Sequence, residues 1–207
     1  MTESQRRYPG SVDEPLAAGR FSAWLDDMRA AIRGDREADV PCSGCTACCQ
    51  ASQFIHVEPD ETDALEHIPA ELLFPAPRLP AGHKVLGYDE HGRCPMLVDG
   101  GCSIYEHRPR ACRTYDCRIF AATGIEVEEA QPEVAARVRR WVFTFETKED
   151  TALYDALRAA ARHVVERDGS SLTANGLAVR ALSFEPDRDS EATPAPRADR
   201  TPPRTRR

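Results

Sequence analysis

The chain has 207 residues, 41% of them hydrophobic, and a formal net charge of −7. That is the length of one ordinary domain plus tails. An acidic body lacks the clustered Lys/Arg of a nucleic-acid surface, and no stretch approaches the ~18 apolar residues of a membrane span, so neither nucleic acid nor membrane is expected as a partner.

Residues 1–13 are polar and carry no apolar signal-peptide core, which predicts a disordered start and, by default, a cytoplasmic protein. Residues 15–33 place Leu16, Phe21, Trp24, Leu25, Met28 and Ile32 at three- and four-residue steps, the period of an amphipathic helix docked on the body. Gly34 is its expected stop. Next comes Pro41-Cys42-Ser43-Gly44-Cys45-Thr46-Ala47-Cys48-Cys49, with four of the chain's eight cysteines. Each two-residue spacing can bend into a knuckle that aims two sulfurs at one ion, with Gly44 supplying the positive φ such a bend needs. Residues 54–57 read as a short strand. Residues 58–67 read as a helix with Pro59 near the first turn and acids where the macrodipole favours them. Pro69, Pro75, Pro77 and Pro80 predict a constrained loop.

Residues 83–88 and 93–98 flank Asp89-Glu90-His91-Gly92, a hairpin signal. Asp99-Gly100-Gly101 makes a second turn before Cys102-Ser103-Ile104-Tyr105, so a three-stranded meander is expected to carry Cys94 and Cys102. A short helix or turn starting near Arg108-Pro109 leads to Cys112 and Cys117. Residues 133–145 predict a helix with Val134, Val138, Trp141, Val142 and Phe145 on one face. Residues 149–167 predict another, ended by Asp168-Gly169, and 172–182 a shorter third. Residues 186–207 hold six Arg against four acidic residues with no apolar period, and read as a disordered tail. The expected organisation is one domain over 14–185, with a cysteine core at 40–120 and a helical part at 130–185. Its class is α+β: a small cysteine-rich, metal-clamped core with a short antiparallel meander, packed with about five helices.

The cysteines run C-x2-C-x2-C-C, then, after 44 residues, C-x7-C-x9-C-x4-C. Thiolates are soft ligands, and four of them around a tetrahedral ion make a closed structural site with no open position for catalysis. In a reducing cytosol such a cluster reads as metal ligands before disulfides. Cys42, Cys45, Cys48, Cys49, Cys94, Cys102, Cys112 and Cys117 are therefore the candidate ligands. Adjacent Cys48 and Cys49 have diverging side chains, so they serve two sites, or one ligates while the other packs as a small hydrophobe. Zinc knuckles fit. The Cys42-x2-Cys45-x2-Cys48 run with Cys94-Pro95 also resembles a ferredoxin-type run, although there the Cys-Pro lies close by. Zn2+ and an iron–sulfur cluster both stay open, as do one site and two. Residues 75–117 are short of large apolar side chains, so the metal is expected to contribute folding energy directly.

The same cysteines, with Pro95-Met96-Leu97, Ser103-Ile104-Tyr105, Arg108-Pro109 and Arg113 in register, resemble the YkgJ-type cysteine-cluster family, the CxxCxxCC zinc- or iron-chelating domain, over about residues 40–120. The resemblance implies metal chelation by these cysteines. The family also includes flagellin lysine N-methylases, which implies an iron–sulfur-dependent redox or methyl-transfer enzyme as the alternative. The residues themselves give that alternative no support. No Gly-rich loop lies between a strand and a helix to hold a nucleotide-like cofactor, and Gly100-Gly101 reads as a turn.

Among other residues, His56, His67, His83, His91 and His163 are scattered, and His107, five residues before Cys112, is weighed as a substitute for one thiolate. Arg108, Arg110, Arg113 and Arg118 read as compensation for the thiolates' negative charge, with an anion site as the sharper alternative. Tyr105 and Tyr115 read as packing, and Asp116 as an acceptor behind the sulfurs. No Ser-His-Asp or Cys-His arrangement stands out, so no catalytic residue is assigned. Two function classes follow: a metal-binding protein whose ion is structural and whose helical half meets a protein partner, or the iron–sulfur enzyme.

Overall fold

The computed structural model describes residues 14–38, 40, 42 and 44–183. The expected disordered ends, 1–13 and 186–207, lie outside the described residues. The elements in order are β1 (Leu16–Arg20), α1 (Phe21–Arg33), a 3-10 turn (Cys48–Gln50), β2 (Ile55–Val57), α2 (Thr62–His67), a 3-10 turn (Ala70–Leu72), β3 (Leu73–Pro75), β4 (Lys84–Leu86), β5 (Leu97–Val98), β6 (Gly101–Cys102), a 3-10 turn (Tyr105–His107), α3 (Arg110–Thr114), α4 (Arg118–Thr123), α5 (Pro132–Val138), β7 (Trp141–Thr144), α6 (Lys148–Asp168) and α7 (Ala174–Leu182). The class is α+β, as expected. No helix among the described residues is long and apolar enough to cross a membrane.

Two hydrophobic cores organise the chain. The larger is built by the apolar stripe of α1, with Phe21, Trp24, Leu25 and Met28 buried, against α4, α6, α7 and β7. Phe21 sits at its centre, fully buried, edge-on to Phe143 (5.4 Å between ring centroids) and Tyr154 (5.2 Å). Gly34 ends α1 at φ 79°, where only glycine is unstrained, and its N–H bonds Ala31 O. α6 opens with a capping box: Asp150 N–H donates to Thr147 Oγ1, and Thr147 N–H donates back to the Asp150 carboxylate. That carboxylate also accepts from Ser22 N–H at 3.3 Å, so one side chain joins the starts of α1 and α6.

Two predicted helices give way to strand here. The helix expected over 15–33 begins only at Phe21, and the one expected over 133–145 stops at Val138. β1 and β7 pair in parallel, Leu16 opposite Trp141 and Arg20 opposite Thr144, with an irregularity between Ala17 and Gly19. Trp141 and Phe143 are buried while Val142 and Thr144 are exposed, a period of two. Four residues at three- and four-residue steps also satisfy a strand when they end in a β-forming run, and the distant partner decides.

The smaller core holds Val57, Ala64, Ile68, Leu86, Met96 and Ile104. It lies under a three-stranded antiparallel sheet in the order β2-β4-β3, with Leu86 opposite both Ile55 and Leu73. The expected meander is therefore corrected. The Asp89–Gly92 turn does form, with Asp89 N–H on Arg93 O at 2.8 Å, but β4 pairs with β2 and β3 rather than with residues 93–98. Of the latter, Leu97–Val98 form β5, which among the described residues pairs with β6 alone. Burying Leu86 between two distant strands outweighs a local hairpin. Part of the stretch read as a Pro-rich loop is β3, at the sheet edge where Pro75 costs no ladder bond. α2 starts at Thr62, with Glu61 as its cap residue.

Candidate metal centre

The cysteines occupy the seam between the two cores. The first knuckle is a turn closed by Cys45 N–H on Cys42 O at 2.8 Å, with Gly44 at φ 70°. The chain then makes the Cys48–Gln50 3-10 turn, which presents successive thiols in different directions. Two main-chain bonds lash this segment to the second cysteine block: Cys94 N–H donates to Cys49 O at 2.7 Å and Ser52 N–H to Gly92 O at 2.9 Å. Cys94 and Cys102 pack against the smaller core, with Cys102 opposite Leu97 in the β5–β6 pair. Cys112 rides on α3, and Cys117, at the start of α4, is buried in the larger core. All eight cysteines are free.

Electrostatics sorts the thiols into two groups. Burial pushes the Cys48 thiol far up, and the sulfurs that add to it are Cys117, then Cys42 and Cys45, with adjacent Cys49 last. Burial also pushes Cys49 up, to about 12, but the sulfurs that add most there are Cys94 and Cys102, ahead of Cys45. Cys112 is raised to about 12 by burial and then by Cys94, Cys49 and Cys102. Cys117 is raised to about 12 by burial, against a hydrogen bond from Trp141 Nε1 at 3.2 Å that lowers it, with Asp116, Cys42 and Cys45 adding to the rise. Burial raises Cys42 and Cys94 as well. The charges that weigh most on Cys48 are thus those of Cys117, Cys42 and Cys45, and those that weigh most on Cys49 are those of Cys94 and Cys102, with Cys45 acting on both.

Seven of the eight cysteines line one cavity of about 550 Å³, all but Cys117. Among the described residues, the one group of three or more donors whose ligand atoms lie within 4.8 Å of one another is not cysteine at all but Asp63, His67 and His107. The thiols stand more openly around their cavity. His107 turns away from them and places Nδ1 3.0 Å from both oxygens of Asp63, so it does not substitute for a thiolate in this arrangement.

Of the four arginines expected to compensate thiolate charge, Arg108 alone opposes the rise at both groups, at Cys42 on one side and at Cys49 and Cys112 on the other. It lies 3.6 Å from the Tyr105 ring centroid as a cation–π pair. Arg110 pairs with Glu58 and Asp60, Arg113 with Glu37 at 2.8 Å, and Arg118 with Asp116 at 2.8 Å. Arg137, which no motif singles out, lowers Cys42 and stacks on Trp141. Asp116 is buried and serves structure: it accepts from Trp24 Nε1 at 2.8 Å and from Arg118, although it also raises Cys42 and Cys117. Tyr115 packs against the larger core, and its hydroxyl is pushed upward by burial, then by Cys48 and Cys117. Tyr105 is exposed.

Chemically this is a donor set that suits a soft cation. Thiols buried beside other thiols resist ionisation because each new charge meets low dielectric and its neighbours' charge. A divalent ion removes both penalties, since coordination deprotonates a thiol outright. The residues present fit zinc or iron ligation by sulfur.

The CxxCxxCC family model, whose description reads "Putative zinc- or iron-chelating domain", matches residues 41–136. The matched span contains all eight cysteines and ends within α5. No curated protein and no solved structure matches the chain.

Proposed function

Because residues 41–136 match the CxxCxxCC family model, we propose that this protein is of that family, that it chelates two metal ions through two four-thiolate sites, and that the ions are structural zinc. Cys42, Cys45, Cys48 and Cys117 hold one, and Cys49, Cys94, Cys102 and Cys112 the other. What supports this is the different set of sulfurs around adjacent Cys48 and Cys49. The first interacts foremost with Cys117, the second with Cys94 and Cys102. Four thiolates each would close both sites, leaving no position open for substrate.

Each site would join segments that the two cores hold separately. The first ties the knuckle to the larger core through Cys117; the second ties Cys49 to the smaller core through Cys94 and Cys102. The six buried residues of the smaller core supply little apolar area, so ligand bonds there contribute folding energy directly. Ligation also has to contract each group of sulfurs around its ion.

Elemental analysis of anaerobically purified protein tests this. The expected result is a colourless protein with two zinc ions per chain, falling to one in Cys48→Ser and one in Cys49→Ser. Brown protein containing iron and inorganic sulfide would replace the zinc reading with the iron–sulfur one. Loss of both ions in either single variant would sink the division into two sites.

A further inference from the structure

We propose that Asp63, His67 and His107 form a separate surface site for a divalent transition-metal ion of the zinc or nickel class. The cysteines take no part in it. Asp63 and His67 are i and i+4 on α2, so they share one face of the helix. His107 comes from the Tyr105–His107 turn, 44 residues away in sequence from Asp63. The fold therefore assembles the set; no local sequence signal contains it.

The distances suit a small ion. Donors around a tetrahedral ion with bonds of ~2.0–2.1 Å stand roughly 3.3 Å apart. His107 Nδ1 is 3.0 Å from Asp63 Oδ1, and His67 Nδ1 is 3.6 Å from the same oxygen and 2.8 Å from the Asp63 carbonyl oxygen, hydrogen-bond contacts that an ion would replace; one ligand atom from each residue lies within 4.8 Å of the others. The two imidazoles lie face to face, 3.5 Å between centroids and 4° from parallel. Ligation requires the rings to turn out of their parallel stack. Both side chains are about 40% exposed, which leaves them room to turn.

The donor chemistry selects the ion. Two imidazoles and one carboxylate favour zinc, nickel or copper over calcium or magnesium, which take oxygen, and offer no sulfur to a cluster. Three protein ligands on an exposed face leave positions for water, so the ion exchanges with solvent, unlike one enclosed by four thiolates. It would also bridge α2 to the turn that leads into Cys112.

Cadmium-113 NMR on the full chain separates this site from the thiolates, because sulfur ligation moves the resonance far downfield of nitrogen and oxygen ligation. The expected spectrum has one upfield signal that is absent from the His67→Gln/His107→Gln double variant, with any downfield signals unchanged. No upfield signal, or the same signal in the variant, overturns the proposal. Missing downfield signals would count only against the thiolate reading. A second measurement avoids the variant altogether: on adding Zn2+ to the unsubstituted protein, the ring 15N resonances of His67 and His107 should shift while the other four of the six histidines stay put. If those two do not move, the proposal fails.

Discussion

Lowering the proton concentration should strengthen zinc binding well past the pH at which an ordinary thiol would stop contributing. The metal-bound form holds fewer protons than the metal-free form, so affinity rises with pH by one power of ten per pH unit for each proton released. An ordinary thiol of pKa about 8.5 is about 97% thiolate at pH 10 and releases almost nothing there. Cys49, Cys112 and Cys117 are each held at about 12. At pH 10 such a thiol is only about 1% ionised, so these three alone should release about three protons per chain, against roughly 0.2 from eight ordinary thiols. Calorimetric titration with chelator-buffered zinc, in pairs of buffers that differ in ionisation enthalpy, counts those protons between pH 7 and 10. A release that fades with a midpoint near pH 8.5 would refute the reasoning. Either the thiols are not buried beside one another, or the metal-free chain lets the seam come apart.

Other outcomes follow from single side chains. Asp150 is held down at about 2, below the ordinary 3.8, by hydrogen bonds from Ser22 and the N–H groups at the start of α6. Its carboxylate therefore stabilises the fold above pH 3.8, and that contribution is lost as pH falls through about 2. The melting-temperature gap between wild type and Asp150→Asn should be constant above pH 4 and close by pH 2; a gap that persists in stronger acid contradicts the role. Phe21→Ala should cost ~3–5 kcal/mol by opening a cavity among Phe143, Tyr154 and Trp24. At ~2–4 °C per kcal/mol that lowers the melting temperature by about 10 °C, with metal content unchanged below the transition. Arg108→Gln should weaken zinc binding about 5-fold at low ionic strength, for ~1 kcal/mol of lost attraction, and less in high salt. An equal affinity at low salt would remove Arg108 from the site.

The cysteine spacing made the chemistry legible because ligand identity is local. Soft donors at two-residue steps have few other uses, and the diverging side chains of Cys48 and Cys49 follow from adjacency alone. Long amphipathic segments were legible for a similar reason. The interior of α1, and α6 with its Thr147/Asp150 cap, repeat their period often enough to fix it. Short elements were not. Trp141-Val142-Phe143-Thr144 satisfies a helical face when continued back to Val134, and only its parallel partner at residues 16–20 makes it a strand. Residues 84–86 sit beside a good turn, yet pair elsewhere. Arg110, Arg113 and Arg118 stand among the cysteines in sequence, but acidic partners from distant segments claim Arg110 and Arg113, and Arg118 pairs with its near neighbour Asp116.

The order of residues determined which atoms are available to hold a metal, and which two segments carry them. Tertiary structure alone decided that the two cysteine segments meet around one cavity, that Arg108 and Arg137 act on their thiols, and that Asp63 meets two histidines on the surface. Those outcomes depend on contacts between segments tens of residues apart, whose energies come from burying side chains in the two cores, and no local pattern encodes them.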